Sequence, residues 1–169
     1  MVELHRALGI PPTYAAERRL APQPEAAAGE LADVGLNPDG RMIRLHRDAA
    51  DAWRRMQAAA AAAGVALVPI SGFRPVARQA ELIREKLAAG RALDDILRTV
   101  AAPGFSEHHT GRALDIGSPD HLELEEDFAR TAAFRWLEVH AGEFGFRLSY
   151  PRNNAHGIGY EPWHWCWHP

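Results

Sequence analysis

Cysteine is almost absent from this chain. Cys166 stands alone, so no disulfide can form within the chain and cysteine pairing indicates no redox compartment. An excess of positive charge is also missing: 19 Lys and Arg against 22 Asp and Glu give a formal net charge of -3. The basic residues are scattered, apart from short pairs such as Arg18-Arg19 and Arg54-Arg55. There is therefore no electrostatic reason to expect a nucleic acid or an anionic membrane as partner. No segment approaches the ~20 apolar residues that span a bilayer. Met1 to Leu20, with Glu3, His5, Arg6 and Pro11-Pro12, lacks the apolar run of a secretory leader. The expectation is a cytoplasmic monomer, or a periplasmic or extracellular protein if a leader has been removed.

The 169 residues, 47% of them hydrophobic, suffice for one domain with a substantial core. Residues 1–30 are rich in Pro and Ala and are expected to wrap the surface of a domain spanning 31–169. Leu31 to Leu36 and Arg41 to Leu45 flank Asn37-Pro38-Asp39-Gly40, the chemistry of a hairpin turn. Trp53, Met56 and Ala60 share one face of a helix expected over 47–63, with Gly64 as its stop. The alanines at 58–63 read as a helix face packed closely on a sheet. Val65 to Ile70 suits a strand in which Pro69 marks an edge or a bulge. Helices are expected over 76–89 and 93–100, and from a Thr131 cap to about Gly142. Ala113 to Ile116, Phe146 to Tyr150 and Trp163 to Trp167 read as strands. The fold class is α+β: a single domain with a small, mainly antiparallel sheet flanked by helices.

Two stretches carry chemistry. In Ser106-Glu107-His108-His109-Thr110-Gly111-Arg112-Ala113-Leu114-Asp115, strand alternation sets Asp115 opposite Leu114 and Ile116. An ionised carboxylate beside a core strand is costly unless it is paired or coordinated. A divalent metal would resolve that cost, and so would an ion pair with Arg112 or a loop cap. In Tyr160-Glu161-Pro162-Trp163-His164-Trp165-Cys166-Trp167, the three tryptophans share one face and His164 takes the other. A lone strand histidine is more often structural than a ligand. Taken together, His108, Asp115 and His164 form a three-ligand set of the kind that leaves zinc an open position for water. Glu161 is the candidate base. Arg74, in the loop after an apolar strand, could face an oxyanion, bind a carboxylate, or make a surface ion pair.

The blocks SGFRP…Q, SEHHTGRALD and YEPWHW resemble the VanY-type D-alanyl-D-alanine carboxypeptidases, a group that includes L,D-carboxypeptidases and D,D-dipeptidases. The pattern S-x-H-x-x-G-x-A-x-D falls on Ser106, His108, Gly111, Ala113 and Asp115, and E-x-x-H falls on Glu161 and His164. The resemblance implies Zn2+ on His108, Asp115 and His164, with Glu161 as catalytic base. It implies that Arg74 stabilises the tetrahedral intermediate, and that Gln79, Ser106 and Tyr150 line a pocket for a peptidoglycan-derived peptide. The implied fold is the small zinc peptidase fold shared with hedgehog signalling domains. A wall endopeptidase and a zinc-containing binding module without turnover are the rival readings. His109 is expected in support of the site or exposed, His156 in a loop near the cleft, and Cys166 as a buried, inert thiol.

Overall fold

A computed structural model describes all residues 1–169. The chain opens with two short helices, α1 (Val2–Ala7) and α2 (Tyr14–Glu17). A hairpin of β1 (Leu31–Leu36) and β2 (Met42–His46) follows and feeds directly into α3 (Arg47–Ala62). Next come β3 (Val68–Ser71), α4 (Val76–Ala88) and α5 (Leu93–Ile96). The remainder comprises β4 (Ala113–Gly117), α6 (Ala132–His140), β5 (Phe146–Leu148) and β6 (His164–Trp167). The main sheet is antiparallel throughout, in the order β3-β4-β6-β5. No helix is long and apolar enough to cross a membrane.

Local chemistry explains most element ends. Asn37 Oδ1 accepts from the Asp39 and Arg41 amides and so forms the hairpin turn, while Asn37 Nδ2 donates to Ile70 O and ties the hairpin to β3. Thr131 Oγ1 accepts from the Phe134 amide at 3.1 Å and caps α6. Pro69 lies on an edge strand and next to a register shift, so both options that a proline leaves to a strand are used here. Four elements are shorter than their sequence pattern suggests. The strand β3 begins at Val68 and not at Val65, whose amide is taken by Ala60 O at the end of α3. The helix α5 stops at Ile96, and beyond it Arg98 O and Ala101 O are taken by the Gly159 amide and by Gln79 Nε2. The strand β5 ends before Ser149, whose hydroxyl turns to Glu107. The strand β6 begins only at His164, because Glu161 O accepts from the His164 amide and closes a turn.

The main core joins α3, α6, the hairpin and the inner face of the main sheet, with Trp53, Met56, Leu114, Ile116, Phe128 and Leu137 fully buried. The close helix packing is made by Ala49, Ala50, Ala52 and Ala60. The 58–63 alanine run is not a buried face, since Ala60 is its only buried member. Six consecutive residues circle a helix of 3.6 residues per turn, so one face cannot hold them all. A second cluster joins Leu8, Ile10 and Tyr14 of the first segment to Ala80, Ile83 and Ile96. The Tyr14 hydroxyl accepts from the Ala102 amide there.

The loop after β3 runs directly beneath β2. A Cβ on Gly72 would stand 2.5 Å from Arg44 O and 2.8 Å from the Ile43 side chain, so the absence of a side chain sets how close the two segments come. Replacing Gly72 by Ala is expected to cost about 1–3 kcal/mol in urea unfolding. Gly142→Ala, where a Cβ meets nothing within 4 Å, should stay within about 0.5 kcal/mol of the parent. Equal stability of the two variants would show that the loop is free to move away from β2.

Candidate active site

Three adjacent strands bring one polar residue each to a common patch. Ser71 is opposite Asp115 across β3 and β4, and Asp115 is opposite His164 across β4 and β6. Directly opposed residues point to the same face, while Leu114, Ile116 and Trp165 enter the core from the other. His108 joins from a 3-10 turn, Glu107–Thr110, that precedes β4. That turn is closed by Gly111 in the left-handed region at φ 68°, and a Cβ at Gly111 would lie 2.8 Å from the His46 amide nitrogen.

Each imidazole is fixed from behind. His108 Nδ1–H donates to Gly72 O at 2.8 Å, leaving Nε2 facing Asp115 Oδ2 at 3.3 Å. His164 faces Asp115 Oδ1 with Nδ1 at 3.2 Å, and its Nε2 faces Glu107 Oε2 at 2.9 Å. One ligand atom from each of His108, Asp115 and His164 lies within 4.8 Å of the others, and all three residues are buried. A tetrahedral ion with bonds of about 2.0–2.2 Å needs ligand atoms roughly 3.3–3.5 Å apart, and the contacts to Asp115, 3.3 Å to one carboxylate oxygen and 3.2 Å to the other, lie close to that spacing. The donor set therefore fits a divalent metal. The alternative pairing of Asp115 with Arg112 is not made: Arg112 stacks over Trp167 at 5.8 Å instead.

The electrostatics agree. Burial would raise Asp115, but His108 and His164 outweigh it and hold the carboxyl well below the usual range. Burial would lower His164, yet Asp115 and Glu107 lift it to about 10. Carboxylates that favour a proton on that ring also favour a metal cation against it. Glu161 behaves oppositely. Burial lifts it to about 7 against the pull of His164, in the range that suits a group exchanging protons at neutral pH. Its Oε2 lies 3.8 Å from His164 Nδ1, because the Glu161–His164 turn brings both side chains to one side.

Arg74 is not a surface ion pair. It donates to Gln79 Oε1 at 3.1 Å and to Ser71 Oγ at 2.8 Å, and lies 3.9 Å from Asp115. Gln79 is buried and donates to Ala101 O. The Tyr150 ring lies 4.9 Å from that of His164, and Tyr150 O accepts from the Glu161 amide. Ser106 is buried beside them. These residues line one cleft of about 460 Å³, with Leu82, Lys86, Arg91 and Trp163 on its walls. Lys86 and Arg91 add cations that motif reading does not supply. His156 stays outside the donor set: its Nδ1 contacts Arg18 O and its ring meets the edge of Tyr150. Cys166 is buried, its thiol pushed up by burial and by the nearby Glu107. Motif reading also passes over Glu107 and Ser149. A carboxylate beside paired histidines in Glu107-His108-His109 is the signal that could have drawn attention to it.

A buried His-Asp-His set with a carboxylate close by is the equipment of a hydrolytic metalloenzyme. The family model for D-alanyl-D-alanine carboxypeptidase, VanY, matches residues 42–169. The chain belongs to this family. It is 37% identical over 123 residues to YodJ of Bacillus subtilis strain 168, covering 71% of this chain and 45% of that protein. It is 32% identical over 117 residues to a D-alanyl-D-alanine carboxypeptidase of Enterococcus faecalis, covering 63% and 42%. The chain thus spans less than half the length of these two relatives. Among solved structures, the LD-carboxypeptidase LdcB superposes with a TM-score of 0.73 at 31% identity, covering 84% of this chain and 69% of that one. The D,D-pentapeptidase VanY in complex with Zn(II) gives 0.64 at 26%, with 89% and 87% covered. VanYB in complex with D-alanine-D-alanine gives 0.65 at 26%, with 90% and 86% covered.

His109, adjacent to a member of the donor set, is fully buried and points away from it. Its Nδ1–H donates to Arg74 O at 2.7 Å and its Nε2 accepts from the Gly104 amide at 3.0 Å. Both ring nitrogens are used to pin the Arg74 loop to the loop before His108. His109→Leu leaves a carbonyl and an amide without partners, at about 1–3 kcal/mol for each buried group. The expected result is a lower urea midpoint, partly restored by His109→Gln, which keeps a donor and an acceptor. An unchanged midpoint in the leucine variant would remove the clamp from the account.

Proposed function

We propose that this chain is a zinc-dependent carboxypeptidase that hydrolyses the terminal D-alanine from peptidoglycan-type peptides ending in D-Ala-D-Ala. The observation that carries the reading is the single cleft in which a His108-Asp115-His164 donor set, the Glu161 carboxyl and the Arg74 guanidinium converge. Family membership and the Zn(II) complex of VanY support zinc as the metal. The D-alanine-D-alanine complex of VanYB supports the substrate class.

His108 Nε2, an Asp115 oxygen and His164 Nδ1 would hold the ion. When bound there, zinc supplies a Lewis acid that polarises the scissile carbonyl and lowers the pKa of a water. Glu161 takes the proton from the attacking water and passes it to the leaving amine. Burial favours a proton on this carboxyl and a bound cation would favour its ionised form, so neither protonation state is strongly disfavoured. Arg74, already oriented by Ser71 and Gln79, presents remaining N–H groups to the developing oxyanion. Ser106, Gln79 and Tyr150 form the wall that receives the substrate terminus. A second reading, removal of D-alanine from an L,D-linked end, is favoured by the 0.73 superposition on LdcB. A mass-spectrometric digestion panel of stem peptides with D,D and L,D ends separates the two.

Purified protein is expected to contain about one zinc per chain. Glu161→Gln should keep that zinc and lose turnover by roughly 10²-fold or more, while His164→Ala should lose most of the metal. Metal loss in Glu161→Gln would make Glu161 a ligand, and undiminished turnover with zinc retained would remove it as the base.

An exopeptidase must hold a free terminal carboxylate through charge-assisted hydrogen bonds. A stem peptide ending in D-Ala-D-Ala should therefore be cut at least ~10²-fold faster than its C-terminal amide, a difference of ~3 kcal/mol. Equal rates would identify an endopeptidase. No cleavage of any wall peptide by fully zinc-loaded protein would identify a binding module.

A further inference from the structure

Glu107 is the one carboxylate at the site that the proposed chemistry leaves unused. Its side chain is only 19% exposed. Oε2 meets His164 Nε2 at 2.9 Å and accepts the Ser149 hydroxyl at 2.6 Å. The His164 ring stands between Glu107 and Asp115, because Nε2 and Nδ1 lie on different edges of the imidazole. Glu107 therefore cannot join the donor set without displacing that ring. It lines a second cavity of about 310 Å³ together with Ser149 and Arg147.

The main-chain scaffold makes this contact specific. Glu107 starts the turn that carries His108, and Ser149 sits just past β5, the neighbour of β6. One carboxylate thus links the turn holding the first histidine to the strand holding the second. His108 already has its own rear partner in Gly72 O. Without Glu107, His164 would have none, and its ring could flip or exchange which nitrogen carries the proton.

We propose that Glu107, oriented by Ser149, is a positioning residue that keeps the proton of His164 on Nε2 and presents Nδ1 to the metal. This rests on the reading of His164 as a zinc ligand. A carboxylate behind a ligating imidazole fixes its tautomer and raises its basicity, and loss of such a partner weakens metal affinity about 10–100-fold. Glu107 differs from the catalytic groups in touching neither substrate nor reacting atoms.

The test is zinc affinity, measured by competition with a chromophoric chelator, for the parent, Glu107→Ala, Glu107→Gln and Ser149→Ala. Glu107→Ala should bind zinc about 10–100-fold more weakly. Glu107→Gln, which can still accept from Nε2–H, should recover much of the loss, and Ser149→Ala should fall between parent and Glu107→Ala. In the ¹⁵N spectrum of histidine-labelled, zinc-loaded protein, His164 should carry its proton on Nε2 in the parent and in Glu107→Gln. A merely structural role would leave that signature and the glutamine rescue unmoved. Zinc affinity in Glu107→Ala equal to the parent's overturns the proposal, as does a His164 proton on Nδ1 in the zinc-loaded parent. A parent that binds no zinc overturns the underlying ligand reading instead.

Discussion

An ionised carboxylate on an interior strand is the constraint that organises this protein. Asp115 sits on β4, with Leu114 and Ile116 on either side of it committed to the core. Desolvating such a charge costs several kcal/mol unless other groups compensate. The compensation comes from two imidazoles drawn from separate parts of the chain and from the Arg74 guanidinium at 3.9 Å. Each of these groups needs its own support. Gly72 O holds His108, Glu107 holds His164, and Ser71 with Gln79 holds Arg74. The polar network is satisfied outward in layers, ending on backbone carbonyls or on the side chains of Ser71, Gln79 and Ser149. Such a network makes a defined set of rotamers the low-energy state, which a metal centre requires.

That requirement explains why so much of the fold consists of loops clamped together. The hairpin reaches β3 through Asn37, β2 presses on Gly72, and the β2 end bonds the turn before β4 through His46 and Gly111. His109 then joins the Arg74 loop to the residues before His108. The second apolar cluster stabilises the opposite wall of the cleft, where α4 buries Gln79 beside Ala80 and Ile83. Core and site are therefore coupled through short connections and not through a single rigid element. A change that loosens one loop is felt at several donor atoms together.

The sequence made the donor set legible because two of its members follow strand alternation. Asp115 between Leu114 and Ile116, and His164 between Trp163 and Trp165, must face away from the core for the period of two to hold. The hairpin and α3 were legible for similar reasons, since turn residues and a 3.6-residue period are local signals. Three things were not. The alanine run at 58–63 looked like a packing face, but propensity alone accounts for residues that solvent surrounds. The ends of α5, β5 and β6 are set by Gly159, Gln79, Ser149 and Glu161 capturing groups far away in sequence. The supporting roles of Glu107 and Gly72 O were not legible, because contacts between distant loops leave no periodicity behind, and the carboxylate beside two histidines at 107–109 signals a site without saying which ring it supports.

The contrast between Glu107 and Glu161 shows how one environment yields two functions. Glu107 and Glu161 approach the same imidazole, yet one is held near 2 and the other is lifted to about 7. Burial raises both. Glu107 escapes because it accepts hydrogen bonds from His164 and Ser149 at 2.9 and 2.6 Å. Glu161 reaches His164 only at 3.8 Å and also feels Asp115, a like charge. A carboxylate locked into short hydrogen bonds is a fixed counter-charge and moves no protons. A buried carboxylate left without them can gain or lose a proton at little cost. The division of labour thus follows from about 1 Å of separation, which the Glu161–His164 turn and the Glu107–Thr110 turn impose.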